Sequence, residues 1–217
     1  MDANRIDKKE IFTKYMDYVL TKNHQPSSVY AFSKENEIEE QDFYSHFSSF
    51  KSLEKEFFDT LITNTLLVVE STKGYEEYDT KNKLLSFYFT FFANLTANRS
   101  FVLYVFNQND SPLKKVALMS RLKVAFLKYL EKLDFESIDL QNDKANQFKN
   151  RLIYQSAWVQ LVLTMDFWIK DTSKDFDKTD VFIEKSVHTS FDILNITPIK
   201  SVIDFGKFIY KEKMHSY

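Results

Sequence analysis

Residues 28–53 read SVYAFSKENEIEEQDFYSHFSSFKSL, and their spacing is tighter than general amphipathicity requires. Ser28 is a good N-cap, and Val29, Phe32 and Ser33 then fall on one helical face before polar Glu35, Asn36 and Glu37 break the pattern. Ile38 marks a turn. A second short helix over residues 39–47 puts Phe43 and Phe47 on one face, four residues apart, where they can meet the preceding helix. Two short helices and the start of a third outline a helix-turn-helix.

At Tyr44-Ser45-His46-Phe47, followed six residues later by Leu53, the stretch resembles the end of the DNA-binding unit of TetR-family repressors. There a Tyr-x-His-Phe run closes the recognition helix and the leucine begins the fourth helix. Ile38 stands where the family carries an apolar turn residue, and Phe43 where it carries an apolar residue beside the tyrosine. The chain departs from the pattern at two places: Glu37 occupies the position of a turn glycine, and Phe50 that of a lysine, with Lys51 one residue late. The resemblance implies a dimeric, all-α protein with an N-terminal three-helix DNA reader and a C-terminal helical body that dimerises and holds a small ligand.

Composition agrees with helices. The chain has 217 residues, 44% hydrophobic and 28% charged, and is globular rather than disordered. Against 22 Phe and 12 Tyr stand only two Gly and three Pro, too few turn formers for a sheet protein. The absence of Cys excludes disulfides, thiolate metal sites and cysteine nucleophiles. The first residues are charged, with no apolar core of a signal peptide. The apolar stretch 153–169 is interrupted by Gln155, Gln160 and Asp166, which argues against a membrane span. The expectation is a cytoplasmic protein without cofactor.

Periodicity predicts a first helix over residues 5–22, with Phe12, Tyr15, Met16 and Val19 on one face. A connecting helix over 52–70 follows the reader, and an aperiodic stretch with Gly74 marks a boundary near 71–80. Residues 84–95 are apolar all round and belong at the centre of a bundle. A short apolar stretch at 101–106 comes next. Ser111-Pro112 is an N-cap followed by a first-turn proline and opens a single helix to about Leu133. After a loop at 137–143 come long helices over 144–169 and 179–194, the latter capped by Thr179. Thr197-Pro198 opens a last helix to about Lys213. The expected organisation is a reader over 1–50, a connection over 51–79 and a body over 80–217, with nine or ten helices in all.

The helices at 144–169 and 179–194 resemble the pair with which TetR-family proteins build a four-helix homodimer interface; the alternative is that both stripes are spent inside one monomer. For double-stranded DNA the candidate contacts are Ser28, Gln41, Tyr44, His46, Lys51 and Lys55, through hydroxyl, amide and ammonium groups. Charge runs against them: residues 24–50 hold one lysine and five carboxylates, a net of −4, whereas duplex binding draws on Lys and Arg neutralising phosphates. The alternative function is a TetR-fold protein that never meets DNA and holds a lipid or other apolar small molecule. For that ligand the candidate lining is Phe87, Phe91, Tyr104, Phe126 and Trp158, with Gln155 and Asp166 as orienting groups. No nucleophile elbow, phosphate-cradling glycine loop or His-Glu-x-x-His pair is present, and the four histidines are scattered, which argues against an enzyme and against a metal site.

Overall fold

The computed structural model describes residues 6–109, 111–133, 135 and 143–195. Among these there are ten α-helices, two short 3-10 turns and no strand: α1 Lys8–Lys22, α2 Val29–Glu35, α3 Glu40–His46, α4 Phe50–Glu70, α5 Thr80–Ala97, α6 Arg99–Asn107, α7 Pro112–Leu118, α8 Ser120–Lys132, α9 Asp143–Lys170 and α10 Asp177–Asn195. The all-α class expected from the scarcity of breakers is the one observed. Of the loop expected at 137–143 only Asp143 is described, and it begins α9; the helix expected after Thr197 lies outside the described residues.

The chain divides into two compact units, one of residues 1–67 and 91–125, the other of residues 68–90 and 126–217. In the first unit, local capping sets the helix ends. Asp7 accepts the Glu10 N–H at 2.7 Å to start α1, and Asn23 closes it in the left-handed conformation at φ 57°. Ser28 Oγ accepts the Ala31 N–H at 3.0 Å to start α2, and Ser49 and Ser52 exchange backbone-to-hydroxyl bonds at 3.1 and 3.2 Å where α4 begins. The core here is aromatic. Phe43 meets Phe32 at 6.1 Å and Phe50 at 5.3 Å between ring centres, and Tyr15 of α1 stacks on Phe50 at 5.0 Å. Helix α6 joins the same core, with Phe101 against Phe57 at 5.0 Å and Phe12 at 5.8 Å. Such edge and offset pairs contribute roughly 1 kcal/mol each beyond their burial.

In the second unit α9 carries two apolar stripes. Trp158, Leu161, Met165 and Trp168 recur at +3, +4 and +3 and are buried, while Leu152, Val159 and Leu163 recur at +7 and +4 and are exposed. Helix α10 packs its Ile183 and Val187 inward and leaves Val181 and Ile193 outside. Gln160 of α9 ties the two helices together: its Nε2 donates to Ser186 at 3.0 Å and its Oε1 accepts from Ser190 at 3.2 Å. Phe87 of α5 lies against Phe126 at 5.1 Å and Tyr129 at 5.2 Å. The Tyr129 hydroxyl sits 2.9 Å from that of Tyr75 and donates to the Lys83 carbonyl at 3.0 Å.

Two local expectations are corrected. The single helix from Pro112 to Leu133 is two, α7 and α8, because Met119 adopts φ −87°, ψ 14° and its N–H reaches back only three residues, to Val116 at 3.1 Å. No Gly or Pro announces that break, although the stripe Met119, Leu122, Phe126, Tyr129 and Leu133 is buried as the periodicity requires. Thr179 is not the cap of α10 but lies within its first turn. The capping carboxylate is Asp171, which accepts from the Thr179 N–H at 2.9 Å, its hydroxyl at 2.7 Å, and the Ser173 N–H and hydroxyl at 2.8 and 2.7 Å. Burial alone would push the Asp171 carboxyl up, and these four hydrogen bonds outweigh it, holding it at about 2.

Candidate DNA-binding site

The turn between α2 and α3 is built from hydrogen bonds within the sequence segment itself. Asn36 Nδ2 donates to the Phe32 carbonyl at 2.8 Å, and the Ile38 N–H reaches the Ser33 carbonyl at 3.0 Å. Between them Glu37 takes φ 57°, the left-handed region, at the place where the family pattern carries glycine. The backbone therefore keeps the family's turn although the side chain does not suit it. Phe50, which stands where the pattern has lysine, is buried in the aromatic core, so that position has changed from a charge to a packing element.

Helix α3 buries Phe43 and is followed by buried Phe47, which fixes the opposite face as the one presented to solvent. Gln41, Tyr44, Ser45 and His46 lie on that exposed side, Tyr44 with 53% of its surface accessible. His46 also has a structural task, since its Nε2 lies 3.2 Å from the Ile6 carbonyl ahead of α1. Ser28 is exposed with its hydroxyl engaged as the α2 cap, Lys51 is exposed and Lys55 half-buried, both in the first turns of α4. The six sequence candidates thus belong to one unit, on α2, α3 and α4.

Several cations of this unit are taken by carboxylates. Glu56 is shared by Lys8 and Arg121, each at 2.6 Å, and Lys22 meets Glu35 at 3.3 Å. The hydrogen bond from Lys8, with the charges of Lys8 and Arg121, holds the Glu56 carboxyl below its ordinary value despite partial burial. Sequence reasoning passed over a second carboxylate, Glu54. It is buried at 6% exposure, accepts the Tyr15 hydroxyl at 2.8 Å, and that hydroxyl in turn accepts from Gln25 at 3.3 Å. Burial pushes the Glu54 carboxyl up more than the Tyr15 bond lowers it. Burial and then the charge of Glu54 push the nearby Tyr104 phenol up to about 12. No sequence signal marks Glu54, because its partner lies 39 residues away on α1.

The ligand candidates divide between the units. Phe91 and Tyr104 are buried in the first, and Phe87, Phe126 and Trp158 in the second, where Phe126 and Trp158 lie 6.5 Å apart. Gln155 is half-buried on α9. Asp166 is exposed and bonded to Lys170 at 2.6 Å, a surface pair of the (i, i+4) kind rather than a carboxylate set in an apolar interior. An open groove of about 670 Å³ runs along the second unit's surface, floored by Phe167 and Phe182, stacked at 4.6 Å, and edged by Val181, Lys178 and Lys185. Among the described residues no cluster of His, Asp and Glu could hold a metal ion, and no helix is long and apolar enough to cross a membrane.

An all-helical chain that begins with a capped helix-turn-helix and continues into a bundle is the class of a helix-turn-helix regulator. Residues 83–209, more than half of the chain, match the family model of the tetracyclin repressor-like C-terminal domain. The chain belongs to the TetR family of regulators, and that match lies outside the helix-turn-helix that suggested the same family. No curated protein matches it.

Proposed function

We propose that the chain is a DNA-binding, ligand-responsive repressor that works in the cytoplasm as a homodimer. Residues 1–50 read the operator, 51–79 connect, and 80–217 dimerise and hold an apolar small molecule. The observation that carries this reading is the exposed face of α3, with Gln41, Tyr44 and Ser45 outward while Phe43 is locked inside. Gln41 is suited to an adenine edge, and Ser28, Tyr44, His46, Lys51 and Lys55 to sugar and phosphate. Dimerisation is supported by the outward stripes of α9 and α10, Leu152, Val159 and Leu163 with Val181 and Ile193, a larger apolar exposure than a lone helix pair needs to leave in water. A ligand among Phe87, Phe126 and Trp158, oriented by Gln155, would release the operator only by binding the DNA-competent and incompetent states unequally.

A second reading, a TetR-fold protein that holds an apolar ligand and does not bind DNA, is favoured by one observation: residues 24–50 carry a net charge of −4. Titration of the purified protein against its own upstream promoter and random duplex, from low to physiological salt, separates the two. Sequence-selective binding is expected, with Lys51→Ala lowering the salt slope by about one and Tyr44→Ala weakening binding. Absence of binding at low salt would sink the repressor and leave the ligand-binding reading.

A further inference from the structure

Residues 111–125, SPLKKVALMSRLKVA, carry Lys114, Lys115, Arg121 and Lys123 and no carboxylate, the reverse of the −4 charge of residues 24–50. They form α7 and the start of α8. Ser111 Oγ accepts the Lys114 N–H at 3.3 Å and proline occupies the first turn, so α7 is a capped helix. Leu113 in that turn is 82% exposed, the highest value among the exposed large apolar residues described. Val116 follows three residues on, the same side of the helix, and is also exposed. Arg121 is engaged by Glu56 at 2.6 Å, whereas Lys114 and Lys115 form no ion pair among the described residues.

We propose that α7 is a docking element for an anionic lipid surface. Lysines alone would suit DNA phosphates, but a phosphate track offers nothing to Leu113 and Val116. A protein groove would need a concave match, and the headgroup layer of a bilayer does not: it takes short apolar side chains into its acyl boundary while its anionic phosphates meet the flanking ammonium groups. A seven-residue helix lies on such a surface rather than crossing it, and one weak apolar anchor with two or three charges gives reversible attachment. The inference stands on α7 alone and does not depend on the DNA-reading proposal.

Co-sedimentation of the full chain with phosphatidylglycerol vesicles, phosphatidylcholine vesicles and random-duplex DNA tests it. Binding to the anionic vesicles, falling with salt and weak on the zwitterionic ones, is expected. Lys114→Ala with Lys115→Ala should lower partitioning about 25-fold, Leu113→Ser about ten-fold, and Lys9→Ala on α1 should leave it unchanged. Equal binding to both vesicle types, no vesicle binding, or vesicle binding that these variants leave intact would overturn the proposal. Loss of DNA affinity in the lysine variants without vesicle binding would also overturn it, by making the stretch a phosphate track.

Discussion

The helix-turn-helix and the α9–α10 pair dispose of their apolar residues in opposite ways. Around α2 and α3 the phenylalanines are all turned inward, Phe32, Phe43, Phe47 and Phe50 being buried, and what is left outside is Tyr30, Tyr44 and a set of polar and acidic side chains. On α9 the buried stripe ends at Trp168 while a second apolar stripe remains in water. Short helices of seven residues cannot be stable by themselves, and their order is imposed by the aromatic cluster they share. A helix of 28 residues is long enough to spend one apolar stripe on its own unit and still leave a second, whose surface is free to serve association.

That contrast can be broken experimentally. Phe43→Ala removes the ring common to α2, α3 and α4, and should cost about 4 kcal/mol, read as a large drop in the denaturant midpoint with the helix-turn-helix unfolding first. Asp171→Asn removes the charge from the cap that joins α9 to α10. A loss of about 2 kcal/mol is expected at neutral pH. The Asp171 carboxyl titrates at about 2 against an ordinary 3.8, so its contribution is fully present above that ordinary value and fades as the pH falls toward 2. The asparagine variant should lack that slope in acid unfolding curves.

Glu37→Gly should work in the other direction. Relief of a left-handed glutamate in the turn stabilises the helix-turn-helix by about 1 kcal/mol, visible as a raised midpoint without a change in helix content. The smallest effect on stability is expected from Leu163→Glu on the outward stripe of α9, no more than about 0.5 kcal/mol in the isolated chain. Its signature is in sedimentation, where the variant should run as a monomer; a dimer that survives this substitution would mean that the stripe is not the interface.

Much of the helix-turn-helix was legible because its determinants are local. Ser28 as a cap, Phe43 and Phe47 at a spacing of four, and the Tyr-x-His-Phe run all act within a few residues of one another, and the exposed face of α3 follows once Phe43 is known to point inward. Glu37 shows the limit: its left-handed backbone was legible only through the resemblance, since glutamate gives no sign of it. The break at Met119 was not legible, having no breaker residue. Nor was the capping role of Asp171, which depends on a loop closing back over eight residues to Thr179, or the burial of Glu54, which depends on Tyr15. On α9 the apolar density was plain, but which stripe faces inward is decided by its neighbours α10 and α8, through Gln160 with Ser186 and Ser190 and through Trp158 with Phe126, not by α9 itself. Asp166, conspicuous among apolar neighbours in the sequence, falls on the outward side and finds its partner one turn away at Lys170.

The double stripe of α9 also links folding to mass action. If the outer stripe is covered only by another copy, part of the hydrophobic free energy that steadies this helix is collected on assembly rather than on folding. The melting temperature of the protein then becomes a function of how much of it is present, rising with concentration and falling on dilution. In a cell, the abundance of the regulator would set its durability as well as its occupancy of any target.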